Sequence, residues 1–292
     1  MTQPIPSLLA LLDGFDAFVL DQWGVLHDGS APLPGALDAV TRLLDAGKVV
    51  VTLSNSGRRR AHAEGVLRAM GFPVERFRAN VTSGETAYAG LAAGEIAGWK
   101  LPGQRCYLVC RDEDDSVIDG SGVVRVRDAH EADFVMLSGV HGDRFDLTHY
   151  LEELAAAMAL RLPVVCSNPD LVAATASGNE LSPGAVAEAY RERTGIAPVY
   201  VGKPYRPVYD RCLAALPDVS KARVVCVGDS LAHDVKGGAD AGLATLFCLA
   251  GIHQTDFDLG ATVAANLPAV SRLVAAHGGR APDYVIDRLR WS

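Results

Sequence analysis

Six polar residues, most of them directly after a short apolar run, could do chemistry in this sequence. Asp21 follows AFVL, Ser54 and Asn55 follow VVTL, Lys203 follows VYVG, and Asp229 follows VVCVG, with Asp234 close behind in GDSLAHD. Asp21, Asp229 and Asp234 are hard oxygen donors of the kind Mg²⁺ prefers, an ion that usually keeps waters and a phosphate oxygen in its shell. Ser54, Asn55 and Lys203 supply hydrogen-bond donors and a positive charge for an anion, and the lysine offsets the clustered carboxylates. A carboxylate at Asp21 could attack phosphorus to give an aspartyl-phosphate, with metal and lysine spreading the charge of the transition state. Singly, each residue also reads as a cap or turn former. Their common placement after strands is what argues for a site.

That placement requires an α/β fold. Apolar runs of strand length, 17–20, 49–53, 198–201, 223–227 and 244–249, alternate with helical stretches, the pattern of a doubly wound, Rossmann-like parallel sheet covered on both faces. In such a sheet the strand ends share one edge, where ligands bind at the topological switch point. Between the first two runs, 33–47 has helical spacing (Ala36, Leu37, Val40, Leu43, Leu44) and a glycine to end it. A second series, 106–109, 134–140 and 164–166, with a helical stretch over 146–160, predicts an inserted α/β domain. Its edges are expected near Gly84 and Thr194, giving a core of 1–84 and 194–292 and a cap of 85–193.

The chain has 292 residues, 49% of them hydrophobic, enough for a sizeable core. Its net charge of -8 disfavours a general nucleic-acid or anionic-membrane binder. No apolar run approaches the roughly 20 residues needed to span a bilayer, and the start lacks a signal-peptide pattern. A cytoplasmic protein is expected. The six cysteines, mostly inside apolar runs, are expected to be free core thiols. No P-loop, dinucleotide fingerprint, serine elbow or zinc pattern is found.

In order, the motifs FVLDQWGVLHDG with Asp21, TLSNSG with Ser54, VGKPYRP with Lys203, and the acidic pair Asp229 and Asp234 resemble those of the haloacid dehalogenase superfamily. The stretches TSGET, SNPD, SPGAVAEAY and GADAGLAT are similar to its NagD-like phosphatases with a large inserted cap. The resemblance implies a Mg²⁺-dependent hydrolase of a small phosphorylated metabolite. Asp21 would be nucleophile and metal ligand, the Trp23 carbonyl a further ligand, Asp229 and Asp234 the rest of the protein's share, and Ser54, Asn55 and Lys203 the phosphoryl-holding groups. The cap would cover the site and choose the substrate; caps of this kind can also offer surface for a homodimer. Asn168 and Asp170 resemble cap-loop residues near substrate, although Asn-Pro-Asp also reads as a turn.

One position departs from the pattern. The family's phosphatases carry a second Asp two residues after the nucleophile, which protonates the leaving group; here it is Trp23, whose indole is only a donor. Losing a general acid costs ~10²–10⁴-fold in rate. His27 or Asp28 could replace it, the leaving group could need no proton, or the protein could bind a phosphorylated ligand with little turnover. Aromatic residues at this position also occur in haloalkanoate dehalogenases, but the complete acidic pair favours phosphoryl chemistry. The run Arg58 to Arg60 reads as a solvated helix face more readily than as an anion guide, and His233 as structural rather than as a metal ligand.

Overall fold

In the computed structural model, residues 2–175, 178–277 and 279–292 are described. By compactness the chain divides into two units, Met1–Ser54, Glu64–Val81 and Tyr209–Ser292 in the larger, and Asn55–Ala63 and Thr82–Val208 in the smaller.

The larger unit is built on a seven-stranded sheet in the order Gln3–Pro4, Tyr284–Ile286, Ala244–Cys248, Val224–Gly228, Ala17–Asp21, Val49–Ser54, Ala79–Thr82. From the first of these to Val49–Ser54 every neighbour pairs parallel, with Leu20 opposite Val227 and Asp21 opposite Leu53. The central strands are buried on both faces, so they read as unbroken apolar runs. Phe18, Leu20, Val225, Val227 and Leu246 pack on one face with Ala36, Ala39, Val40 and Leu43. The last four form the stripe of the helix Ala36–Asp45 at the spacing one apolar face requires. Phe247 and Val285 point to the other face, against Leu231, Val235 and Val270.

The smaller unit has its own five-stranded, all-parallel sheet in the order Val199–Tyr200, Val164–Cys166, Phe134–Leu137, Arg105–Val109, Val124–Val126. Val135, Leu137, Val164 and Cys166 face Tyr150, Leu154, Val186 and Tyr190; Phe134, Met136 and Val165 face Ala87, Leu91 and Ile118. The helix expected over 146–160 is present as Leu147–Glu153 and Ala155–Ala159, with Asp146 accepting from the His149 N–H at its start.

One strand lies elsewhere than the sequence predicts. The run 198–201 was expected beside the strands that end in Asp21 and Asp229, yet Val199 and Tyr200 pair with Val165 and Cys166. A short Val-Tyr-Val run suits any buried parallel sheet, and nothing in it says which. The six cysteines are free, and all but Cys110 are buried. Among the described residues no helix is long and apolar enough to cross a membrane.

Candidate active site

In the larger unit, three parallel neighbours end at the same edge, bringing up Asp21, Ser54 and, after Gly228, Asp229. Asp234 arrives from a π-helical turn, Leu231–Val235. Asp21, Asp229 and Asp234 are all buried, and one carboxylate oxygen from each lies within 4.8 Å of the others.

Backbone N–H groups orient each carboxylate. Gln22 N donates to Asp21 Oδ1 (2.8 Å), Ile252 N to Asp229 Oδ2 (2.7 Å) and Ser230 N to Asp234 Oδ2 (3.1 Å). Gln22 is itself fixed, its Nε2 donating to Thr52 Oγ1 (3.2 Å) and Asn80 Oδ1 (3.0 Å) on the next two strands. Three glycines make the room. A Cβ on Gly24, at φ +78°, would fall 1.9 Å from Asp229 Oδ2; one on Gly251 would fall 2.1 Å from the same atom; one on Gly228 would fall 2.0 Å from Asp234 Cγ. Gln22 and Gly251 carry no chemistry of their own, and sequence reasoning missed them for that reason.

Burial raises the Cys248 thiol well above its usual range, and the charges of Asp229, Asp234 and Asp21 add to it. Tyr209, buried with its hydroxyl on His233 O (3.0 Å), is raised by burial first and by Asp234 and Asp21 among smaller contributions. Three buried carboxylates this close repel one another unless a cation sits among them. The all-oxygen donor set, the buried position and the space kept by glycine fit a hard divalent ion. His233 is not in this group: its N–H donates to Ser230 Oγ (3.3 Å) and its ring is 3.3 Å from the same oxygen.

After Asp21 the chain runs through Trp23, half-buried, whose indole lies nearly parallel to the His27 ring at 6.4 Å between centroids. The two residues expected as substitutes for that Asp, His27 and Asp28, are both held by hydrogen bonds from nearby backbone N–H groups. His27 Nδ1 accepts from Gly29 N (3.0 Å), which puts the single proton of a neutral ring on Nε2. Burial lowers its pKa, and Nε2 is enclosed without a hydrogen-bond partner among the described residues. Asp28 Oδ1 accepts from Ala31 N, Ser30 N and Ser30 Oγ, each at 2.8 Å, and these bonds hold its carboxyl at about 2. It is ionised at neutral pH.

In the smaller unit, Asn55 and Lys203 meet across 148 residues of sequence. Lys203 N donates to Asn55 Oδ1 (2.6 Å), and Asn55 Nδ2 donates to Lys203 O (3.2 Å) and Asp170 Oδ1 (2.7 Å). Both amide hydrogens are thereby spent. The Asn55 side chain is a clamp on Lys203, leaving only its backbone N–H to offer an anion. Gly202 allows the clamp, since a Cβ there would lie 2.6 Å from Asn55 Oδ1. Lys203 is 4% exposed. Asn168 Oδ1 accepts from Asp170 N (3.0 Å), continuing the same network.

In the arginine run, Arg58 and Arg59 are held by ion pairs within the smaller unit. Arg58 pairs with Asp112 (3.0 Å) and Asp114 (3.8 Å), while Arg59 pairs with Glu85 (2.7 Å) and stacks over Tyr88 at 3.4 Å.

Two family models of haloacid dehalogenase-like hydrolases match the chain, one over residues 18–124 and one over 200–292. A glycerol-3-phosphate phosphatase of Gallus gallus is 27% identical over 96% of this chain and 91% of its own. A solved haloacid dehalogenase-like hydrolase from Brucella suis is 26% identical with a TM-score of 0.81, covering 98% of this chain and 99% of that one. A glycerol phosphate phosphatase of Mycobacterium tuberculosis, solved with magnesium, is 25% identical with a TM-score of 0.65 over 83% of this chain and 70% of that one. The chain belongs to the haloacid dehalogenase-like hydrolases, on their NagD-like branch.

Proposed function

We propose that this chain hydrolyses small phosphate esters, with Asp21 attacking phosphorus and Mg²⁺ held by Asp21, Asp229, Asp234 and the carbonyl of Trp23. The observation that carries the reading is the convergence of three buried carboxylates within 4.8 Å at the ends of parallel strands. The magnesium in the mycobacterial phosphatase supports the choice of ion. When bound, the ion supplies positive charge beside the phosphoryl oxygens and lowers their repulsion of an incoming carboxylate.

The remaining work falls to the chain. Gln22 N–H fixes the plane of the Asp21 carboxylate, so the attacking oxygen is oriented before substrate arrives. Ser54, the Asn55 N–H and Lys203 hold the transferring group. The bond from Asp21 to phosphorus forms as the ester P–O bond breaks, and the leaving oxygen takes its proton from water. A water then attacks phosphorus, releasing phosphate and restoring Asp21.

A second reading, a protein that binds a phosphorylated ligand with little turnover, is favoured by the state of Trp23, His27 and Asp28. Carbon–halogen cleavage fits less well, because it leaves the buried Asp229 and Asp234 without a cation to oppose. The test is phosphate release from a panel of esters, with and without Mg²⁺, in the wild-type chain and Asp21→Asn. Metal-dependent release that vanishes in the variant is expected. Full activity in Asp21→Asn would sink the assignment, and silence across the panel with Mg²⁺ still bound would transfer it to the second reading.

A further inference from the structure

Asp234 stands on a helical turn wider than an α-helix allows. Val235 N donates to Ser230 O (3.1 Å), five residues back, and Lys236 N reaches Leu231 O over the same interval, so Leu231–Val235 is a π turn. Such turns are rare, and this one passes directly into the helix Lys236–Asp240. The peptide group leading to Asp234 is fixed at both ends. Its N–H donates to Ser230 O (2.9 Å), and its carbonyl oxygen, His233 O, accepts the hydroxyl of Tyr209 (3.0 Å). Because that peptide is planar, the two bonds set the direction in which the Asp234 Cα leaves it.

Tyr209 reaches this carbonyl from the helix Arg206–Ala214 and is fully buried. Its ring fills the space over Gly237, where a Cβ would fall 2.4 Å from both Cε2 and Oη. Cys226 does the same over Gly238, where a Cβ would fall 2.9 Å from its own, and its thiol lies 3.9 Å from Asp234 O. Two adjacent glycines disfavour a helix. Here they are the condition for a tyrosine and a cysteine to lie against the turn that carries Asp234.

A buried hydroxyl can also do no more than satisfy a carbonyl. Tyr190, equally buried in the smaller unit, is that case: its hydroxyl is 2.9 Å from Ala157 O and 2.8 Å from Leu162 O, and none of these residues belongs to the acidic cluster. The bond of Tyr209 differs in where it ends, on the peptide of a residue whose carboxylate gathers within 4.8 Å of those of Asp21 and Asp229. A phenyl ring would fill the same space, so what the hydroxyl adds is direction rather than volume.

We infer that Tyr209 is a positioning residue of the metal site, its hydroxyl holding the π turn so that the Asp234 carboxylate faces those of Asp21 and Asp229. The inference rests on the reading that these three carboxylates hold Mg²⁺.

It is tested on the full chain by calorimetric titration with Mg²⁺ and by the rise in Tm that Mg²⁺ produces, each variant read against its own melt in EDTA. Tyr209→Phe keeps the ring over Gly237 and should raise the Mg²⁺ dissociation constant about fivefold to tenfold, the loss of one hydrogen bond. Tyr190→Phe should lower Tm in EDTA and leave that constant unchanged. Asp234→Asn is the reference for the site itself. An unchanged constant in Tyr209→Phe while Asp234→Asn weakens binding would overturn the inference and spare the reading beneath it, as would equal weakening in the two tyrosine variants. Undiminished binding in Asp234→Asn would overturn both. Weakened binding in Tyr209→Phe alone of the two tyrosine variants, with no phosphate release from any ester by the wild-type chain, would leave the inference standing and defeat only the proposed hydrolysis.

Discussion

Gly24 and Asp229 interlock: a Cβ on the glycine would stand 1.9 Å from the carboxylate oxygen that also accepts the Ile252 N–H. The loop after Asp21 and the first residue of the acidic pair therefore occupy one space, with no allowance for a methyl group. Gly24→Ala must displace Asp229 and also adopt φ +78°. Gly29 has a comparable φ of +93° and nothing within 4 Å of its Cβ position, so Gly29→Ala bears only the backbone strain, about 1–2 kcal/mol. Both variants should unfold at lower temperature, but only Gly24→Ala should lose divalent-ion affinity by calorimetry. Equal ion affinity in the two would show that the contact does not position Asp229.

Trp23→Asp should restore a proton donor. For esters of ordinary alcohols the rate should rise about 10²–10⁴-fold, while aryl phosphates, whose leaving groups depart without a proton, should change little. A loss of activity on both would show instead that the indole serves a working site. Steady-state kinetics on glycerol phosphate and p-nitrophenyl phosphate decide it.

If no group at Trp23, His27 or Asp28 protonates the leaving oxygen, the acidity of that oxygen governs the rate. A sugar's anomeric hydroxyl is more acidic than its terminal one. Among hexose phosphates the 1-phosphate should therefore have the higher kcat in the wild-type chain, and Trp23→Asp should narrow the gap. A wild-type kcat favouring the 6-phosphate would contradict this.

Far from the site, Asp16 is held at about 2, chiefly by its hydrogen bond to Arg223, with the charges of Arg223 and Lys48 adding to it. The folded value lies below the unfolded one, so the stabilising contribution is complete above pH ~4 and is lost as pH falls toward 2. Asp16→Asn should lower Tm at neutral pH by a small amount, as for an exposed pair. The difference from wild type should shrink as pH falls through about 2 and vanish below it. A constant offset across the titration would assign the effect to packing.

Much of this was legible because strand and chemistry coincide. Ala17–Asp21 and Val224–Gly228 are apolar on both faces, so the aspartates after them stand out, and parallel pairing does the rest. The limits are equally physical. Val199–Tyr200 carries apolarity but no address, and joined the other sheet. Asn55 presents as a donor in sequence, yet hydrogen-bond geometry commits both its amide hydrogens to Lys203 O and Asp170. Gln22 acts through a backbone N–H, which every residue but proline possesses, and so leaves no trace in composition.

The clamp between Asn55 and Lys203 also has a meaning for how the chain reaches its working state. It closes a loop of 148 residues, at an entropic cost of about (3/2)RT ln n, or ~4 kcal/mol beyond a constant. Two hydrogen bonds, at about 1 kcal/mol net each, do not meet that cost. Closure must be carried by the sheet that forms between them, whose strands Phe134–Leu137 and Val164–Cys166 lead to Val199–Tyr200 just before the lysine. Lys203 is thus seated by the completed smaller unit, and a chain folded only in its larger part would gather its three buried carboxylates with Lys203 still unplaced.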